Sequence, residues 1–151
     1  MPITLHRLFN SFIFLALFGF GISASAENSQ QFGDYVIHYN AFRSDTLSPE
    51  IAKQYNLTRR NNRVIVNIAV LKKVLDTTGK PVAATVTGHA SNLTGQLKDL
   101  TFREIKEDTA IYYLADTQIS DGEYLKFELK ITPEGESSPA RLQFQKRFFT
   151  Y

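Results

Sequence analysis

The chain predicts an all-β fold: an antiparallel β-sandwich of about seven strands on an immunoglobulin-like plan, with one short helix in its first long connection. Three observations point there. In "EYLKFELKIT", Leu125, Phe127, Leu129 and Ile131 share one parity, and Tyr124, Lys126, Glu128 and Lys130 the other, the two-residue period of a half-buried strand. Runs rich in aromatic and branched residues recur at short spacing along the rest of the chain. Between the runs stand "DTTGKP", "SNLTG", "SDGE" and "TPEGESSP", which hold the glycines, prolines and asparagines that turns demand.

The first segment is an address. Arg7 gives a basic start, "FIFLALFGFGI" is apolar, and "SASA" ends at Ala26. A basic start, an apolar stretch of about 7–15 residues and a small-x-small end define a secretory signal peptide over residues 1–26, cut after Ala26. The apolar run is shorter than the roughly 20 residues of a membrane helix. Residues 27–151 then form one β-sandwich domain, expected to be soluble with no membrane insertion after cleavage. There are no cysteines, so neither a disulfide nor a lipid-bearing cysteine is available, and the domain must rely on its core.

Each later element has a local reason. "ENSQQ" is polar and reads as a frayed start. "DYVIHYNAF" sets Tyr35, Ile37 and Tyr39 against Val36, His38 and Asn40. "LSPEIAKQYNL" reads as the helix: Ser48 caps it, Pro49 suits its first turn, Glu50 complements its positive end, and Asn56 suits a left-handed stop. "NRVIVNIAVLKK" is apolar on both parities except at Asn67, as expected of a central strand covered on both faces. "KPVAATVTGHA" opens on a proline, which a strand's first residue tolerates. "GQLKDLTFREIKE" reads as one amphipathic strand, "TAIYYLADTQI" as a buried one. "RLQFQKRFF" places Leu142, Phe144 and Phe148 together.

"FGDYVIHYNAF", "LSPEIAKQYNLTR" and "NIAVLK" resemble a family of short exported gammaproteobacterial proteins described as a domain of unknown function. The resemblance is densest from Phe32 to Lys72. It implies a Gram-negative periplasm and one β-rich domain, and brings no assigned activity or site residues.

Charge excludes some partners. Without Arg7 the formal net charge falls from +2 to +1, so no basic face for nucleic acid is expected. "LTRRNNR" concentrates Arg59, Arg60 and Arg63 between the helix and the central strand. Guanidinium forks suit carboxylates and phosphates, while a helix's negative end also draws cations, so this knot is either a contact site or a solvated turn. With Tyr55 and Leu57, these arginines are the candidate binding residues. His38 and His89 are the domain's two histidines; a stable metal site wants three or four ligands, so no metal or cofactor is expected. No serine-nucleophile, zincin or phosphate-loop motif appears, so no catalytic residue is assigned. "SDGE" is read as a hairpin turn. Tyr124 begins a late strand but shares parity with Lys126 and Glu128, a partial match to a tyrosine corner. The last strand lacks the alternate apolar positions of a membrane barrel.

The sequence therefore reads as a non-enzymatic protein-interaction or accessory module of the cell envelope, its candidate partner another envelope protein of unknown identity. A small-ligand or anion binder and an enzyme with an unrecognised site are the alternatives. The signal-peptide reading makes one measurable claim: the exported protein begins at Glu27. Intact mass of the protein from its native envelope tests this, and an uncleaved chain in the membrane fraction contradicts it.

Overall fold

A computed structural model describes residues 28–151; the expected signal peptide lies outside them. Ten strands and one helix follow in order: β1 (Asn28–Phe32), β2 (Tyr35–Arg43), α1 (Pro49–Gln54), β3 (Arg63–Lys72), β4 (Lys80–Pro81), β5 (Ala84–Asn92), β6 (Leu97–Leu100), β7 (Arg103–Lys106), β8 (Ile111–Gln118), β9 (Glu123–Pro133) and β10 (Ala140–Phe148). All pairs are antiparallel. One sheet runs β1-β2-β3-β8-β7, with the two-residue β4 added beside β3, and the other runs β10-β9-β5-β6. Strands β2-β3-β8-β7 facing β5-β9-β10 reproduce the A-B-E-D and C-F-G order of an immunoglobulin-like sandwich. Among the described residues no helix is long and apolar enough to cross a membrane.

The core lies between the two inner faces. Val64, Val66, Ile68 and Val70 of β3 meet Leu125, Phe127, Leu129 and Ile131 of β9, and none of the eight is more than 2% exposed. Phe127 stacks on Phe144 at 4.6 Å and meets Phe148 edge-on at 6.3 Å, while Tyr39 crosses from the first sheet to reach Phe144 at 4.8 Å. Such ring pairs add about 0.5–1.5 kcal/mol each to the area they bury.

Buried polar groups are bonded at the margins of this core. The Tyr113 hydroxyl donates to Glu104 Oε2 at 2.7 Å and accepts from the Ala84 N–H at 2.7 Å, joining the two sheets. Burial pushes its phenol up to about 12; the Ala84 N–H opposes that rise and the Glu104 carboxylate adds to it. Glu123 is desolvated, yet Lys98, the Ser120 N–H and Asn92 outweigh that and hold its carboxyl below the usual range.

Four local readings are corrected, the first being "KPVAATVTGHA", which is two strands in different sheets, with β4 on β3 and β5 on β9. Of "ENSQQ", read as frayed, the described residues 28–31 belong to β1: their polar side chains say nothing against pairing, and the two-residue turn at Gly33, where φ is 55°, folds the strand back onto β2. "GQLKDLTFREIKE" is two strands in different sheets, with β6 on β5 and β7 on β8. "SDGE" is no hairpin, because β8 and β9 belong to different sheets and Asp121-Gly122 carries the chain across. The helix is as read: Ser48 Oγ accepts from the Ile51 N–H at 3.3 Å, and Asn56 adopts φ 53°.

Gly88 is where β5 and β9 approach too closely for a side chain. A methyl there would stand 2.3 Å from the Glu128 carbonyl oxygen and 2.6 Å from Leu129 Cδ2. Gly88→Ala is therefore expected to cost about 1–3 kcal/mol, read as a lower urea midpoint with unchanged slope. An unchanged midpoint would mean that the two strands are further apart.

Candidate functional site

The connection between β2 and β3, residues 44–62, carries every residue expected to bind except Arg63, which opens β3. It begins in a 3-10 turn, Ser44–Thr46, continues through α1 and lies on the outer face of the first sheet. Three anchors fix it. Ser44 is fully buried; its hydroxyl donates to the Arg60 carbonyl at 3.0 Å and accepts from the Arg60 N–H at 2.9 Å, closing the loop's two ends on each other. Arg103 of β7 donates to the carbonyls of Tyr55 and Asn56, the exposed acceptors at the end of α1. The Tyr55 hydroxyl donates to Glu107 just past β7. Burial first, and then the Glu107 carboxylate, push the Tyr55 phenol up to about 12, so it remains a donor through the physiological range.

The three arginines of the knot do not converge. Arg59 turns back across the loop and donates to the carbonyls of Leu47 at 2.7 Å and Asp45 at 3.0 Å. Arg63 pairs with Asp116 of β8. Arg60 is held through its backbone, and its side chain projects from an exposed residue. The expectation that these cations answer the helix's negative end is met by a different residue, Arg103. No local signal marked it: in sequence it is one charge on an amphipathic strand.

A shallow depression of about 90 Å³ opens beneath the loop, lined by Asn56, Leu57, Thr58, Arg63, Ile65, Arg103 and Asp116. Two guanidiniums and a carboxylate make it polar and nearly charge-balanced. It is well below the roughly 300–1,000 Å³ of a small-molecule pocket.

Beside the loop lies the chain's last segment. Arg43 holds Asp45 through two bonds of 3.0 Å and donates to the main-chain oxygens of Phe149 at 2.8 Å and Tyr151 at 2.7 Å. Asn61 donates to the Thr150 carbonyl at 2.6 Å. The Phe149 and Tyr151 rings lie 5.3 Å apart and remain 41% and 85% exposed.

The two histidines diverge. His38, on β2, points away from the core on the outer face of the first sheet; His89, on β5, does so on the outer face of the second, 3.4 Å from Glu128. The full thickness of the sandwich separates them. Among the described residues no group of three or more His, Cys, Asp or Glu side chains could hold a metal ion.

Residues 29–151 match the family model described as "Domain of unknown function (DUF4426)". The chain belongs to the DUF4426 family. A crystal structure of a DUF4426 family protein from Pseudomonas aeruginosa PAO1, a gammaproteobacterium, is 39% identical; the match covers 82% of this chain and 94% of that one, with a TM-score of 0.70. FetP from uropathogenic Escherichia coli F11, produced recombinantly in the periplasm of E. coli, shares the fold at 11% identity, over 82% of this chain and 93% of its own, with a TM-score of 0.57. A copper-bound variant of FetP matches at 11% identity, 82% and 95% coverage and a TM-score of 0.55. No curated protein matches the sequence.

If Arg103 clamps the loop, Arg103→Met releases it without unfolding the sandwich. Amides of residues 49–57 are then expected to exchange about tenfold faster or more, with β9 amides unchanged. Uniform acceleration across both would make Arg103 a determinant of global stability instead.

Proposed function

We propose that this DUF4426 protein is a non-enzymatic periplasmic interaction or accessory module of the cell envelope, and that residues 44–62 with the adjoining Phe149–Tyr151 segment form its contact surface. One observation carries this reading: the long connection is held in a single shape by Ser44, Arg59 and Arg103, while the Arg60 guanidinium remains exposed. Loops on sandwiches carry contacts more often than their strands do, and a loop ordered in advance loses less freedom on binding. Arginine and aromatic side chains also dominate the energetic centres of protein interfaces. Half-exposed Tyr55 and Leu57 bring that composition to the loop, and exposed Phe149 and Tyr151 bring it to the segment held by Arg43 and Asn61. The periplasmic assignment is supported by the signal-like segment before Glu27.

The alternatives have less support. An anion binder would use the depression under the loop, but Arg63 is already paired there and Arg103 is engaged by carbonyls. Copper binding of the kind seen in a FetP variant would need ligands that converge, and His38 and His89 stand on opposite faces.

Crosslinking the tagged protein in its native periplasm, followed by purification, tests the proposal. A reproducible partner is expected, with recovery falling several-fold in Arg60→Ser while its stability stays within about 0.5 kcal/mol of the parent. Equal recovery from Arg60→Ser, or no partner under any growth condition, counts against it.

A further inference from the structure

Strand β10 is the last strand of its sheet, and its far edge pairs with no described strand. The Arg141 carbonyl accepts from Gln30 Nε2 at 3.1 Å, so the main-chain groups of Arg141 face away from β9. By the alternation of an antiparallel ladder, those of Gln143, Gln145 and Arg147 face the same way. Nine residues of edge, apolar at Leu142, Phe144 and Phe148 on the inward side, form a template for another strand.

The side chains on that edge oppose such pairing. Its inward row is Leu142, Phe144, Lys146 and Phe148, opposite Leu129, Phe127, Leu125 and Glu123 of β9. Lys146 is the single charge in the row. Its amine lies 5.6 Å from the Phe148 ring centre and donates to the Ala41 carbonyl at 2.8 Å. Ala41 belongs to the part of β2 that extends beyond its pairing with the described residues of β1. One ammonium thus links the β10 edge to the main chain of β2 in the other sheet. Burial holds that amine below the usual lysine range, and no carboxylate among the described residues offsets the cost. Charge on the outer row adds to the effect. Two copies of β10 paired antiparallel about Phe144 would set Arg141 directly opposite Arg147 at both ends, and like charges so placed repel.

We propose that Lys146 guards the β10 edge, keeping it from pairing with the same edge of a second copy of this chain. An inward-pointing charge on an edge strand makes an added strand costly, because extending the sheet would bury the ammonium more deeply. The guarded contact is isologous, one continuous sheet running through two domains.

The test is sedimentation velocity over a range of concentrations. Lys146→Met keeps the stem and removes the charge; it is expected to self-associate at a concentration at least about tenfold lower than the parent does. Adding Gln145→Pro removes one outward-facing N–H and leaves the β9 ladder intact, so the double variant is expected to sediment like the parent. Gln145→Pro alone reports on folding. If methionine is not accommodated, Lys146→Gln removes the charge while keeping a donor for the Ala41 carbonyl, and is read in the same way. A Lys146 variant that sediments as the parent does overturns the proposal. So does association that persists with Gln145→Pro in place, since it would then run through another surface.

Discussion

Strand β3 is apolar on both faces, and much of the molecule follows from that. Val64, Val66, Ile68 and Val70 fill the sandwich core, but Ile65 points the other way and is only 1% exposed. An outward isoleucine on a central strand needs a second cover, and in this half of the sheet the chain supplies it from the connection that precedes β3. Leu57 and Thr58 lie beside Ile65, and Ala52 of α1 is buried with only 3% of its surface exposed. A connection that must cover a sheet cannot be loose. Its polar backbone then needs partners, which Ser44, Arg59 and Arg103 provide. The loop offered as a contact surface is therefore first a lid over the outer face of β3.

The sandwich was legible because burial enforces a two-residue period, and β9 obeys it without exception. Where legibility failed, the period was intact but uninformative. Leu100 and Phe102 both reach the core, although β6 ends at the first and β7 begins just after the second. A strand that changes sheets while keeping its inward parity leaves no break in the pattern. The Asp121-Gly122 turn misled for a related reason: a tight turn reverses the chain equally well within one sheet or between two. Only the pairing of β8 with β3, and of β9 with β5 and β10, distinguishes the cases, and pairing is not a local property.

The candidate site was legible as a place and not as an arrangement. Tyr55, Leu57, Arg59 and Arg60 belong to one connection between β2 and β3, and Arg63 opens β3. What each guanidinium touches depends on residues far away in the chain: Asp116 for Arg63, and the main-chain oxygens of Phe149 and Tyr151 for Arg43. A cluster of like charges in sequence suggests shared work, but a guanidinium reaches far enough to follow its own acceptor. Arg103 and Glu107 gave no warning because a clamp residue on an edge strand looks like any charged residue on a solvated face.

These assignments separate Arg60 from its neighbours on physical grounds. Arg59 contributes to the shape of the loop, so its loss would disturb structure and recognition together. Arg63 is part of a cross-strand ion pair. Arg60 has its backbone fixed from both sides by a buried hydroxyl while its side chain is exposed. A charged group on a fixed root is costly to the fold in no obvious way and yields nothing to it. Its removal should therefore be nearly silent in stability, and any effect on binding would belong to binding alone. Of the three arginines, Arg60 is therefore the one at which the proposed contact can be tested apart from the fold.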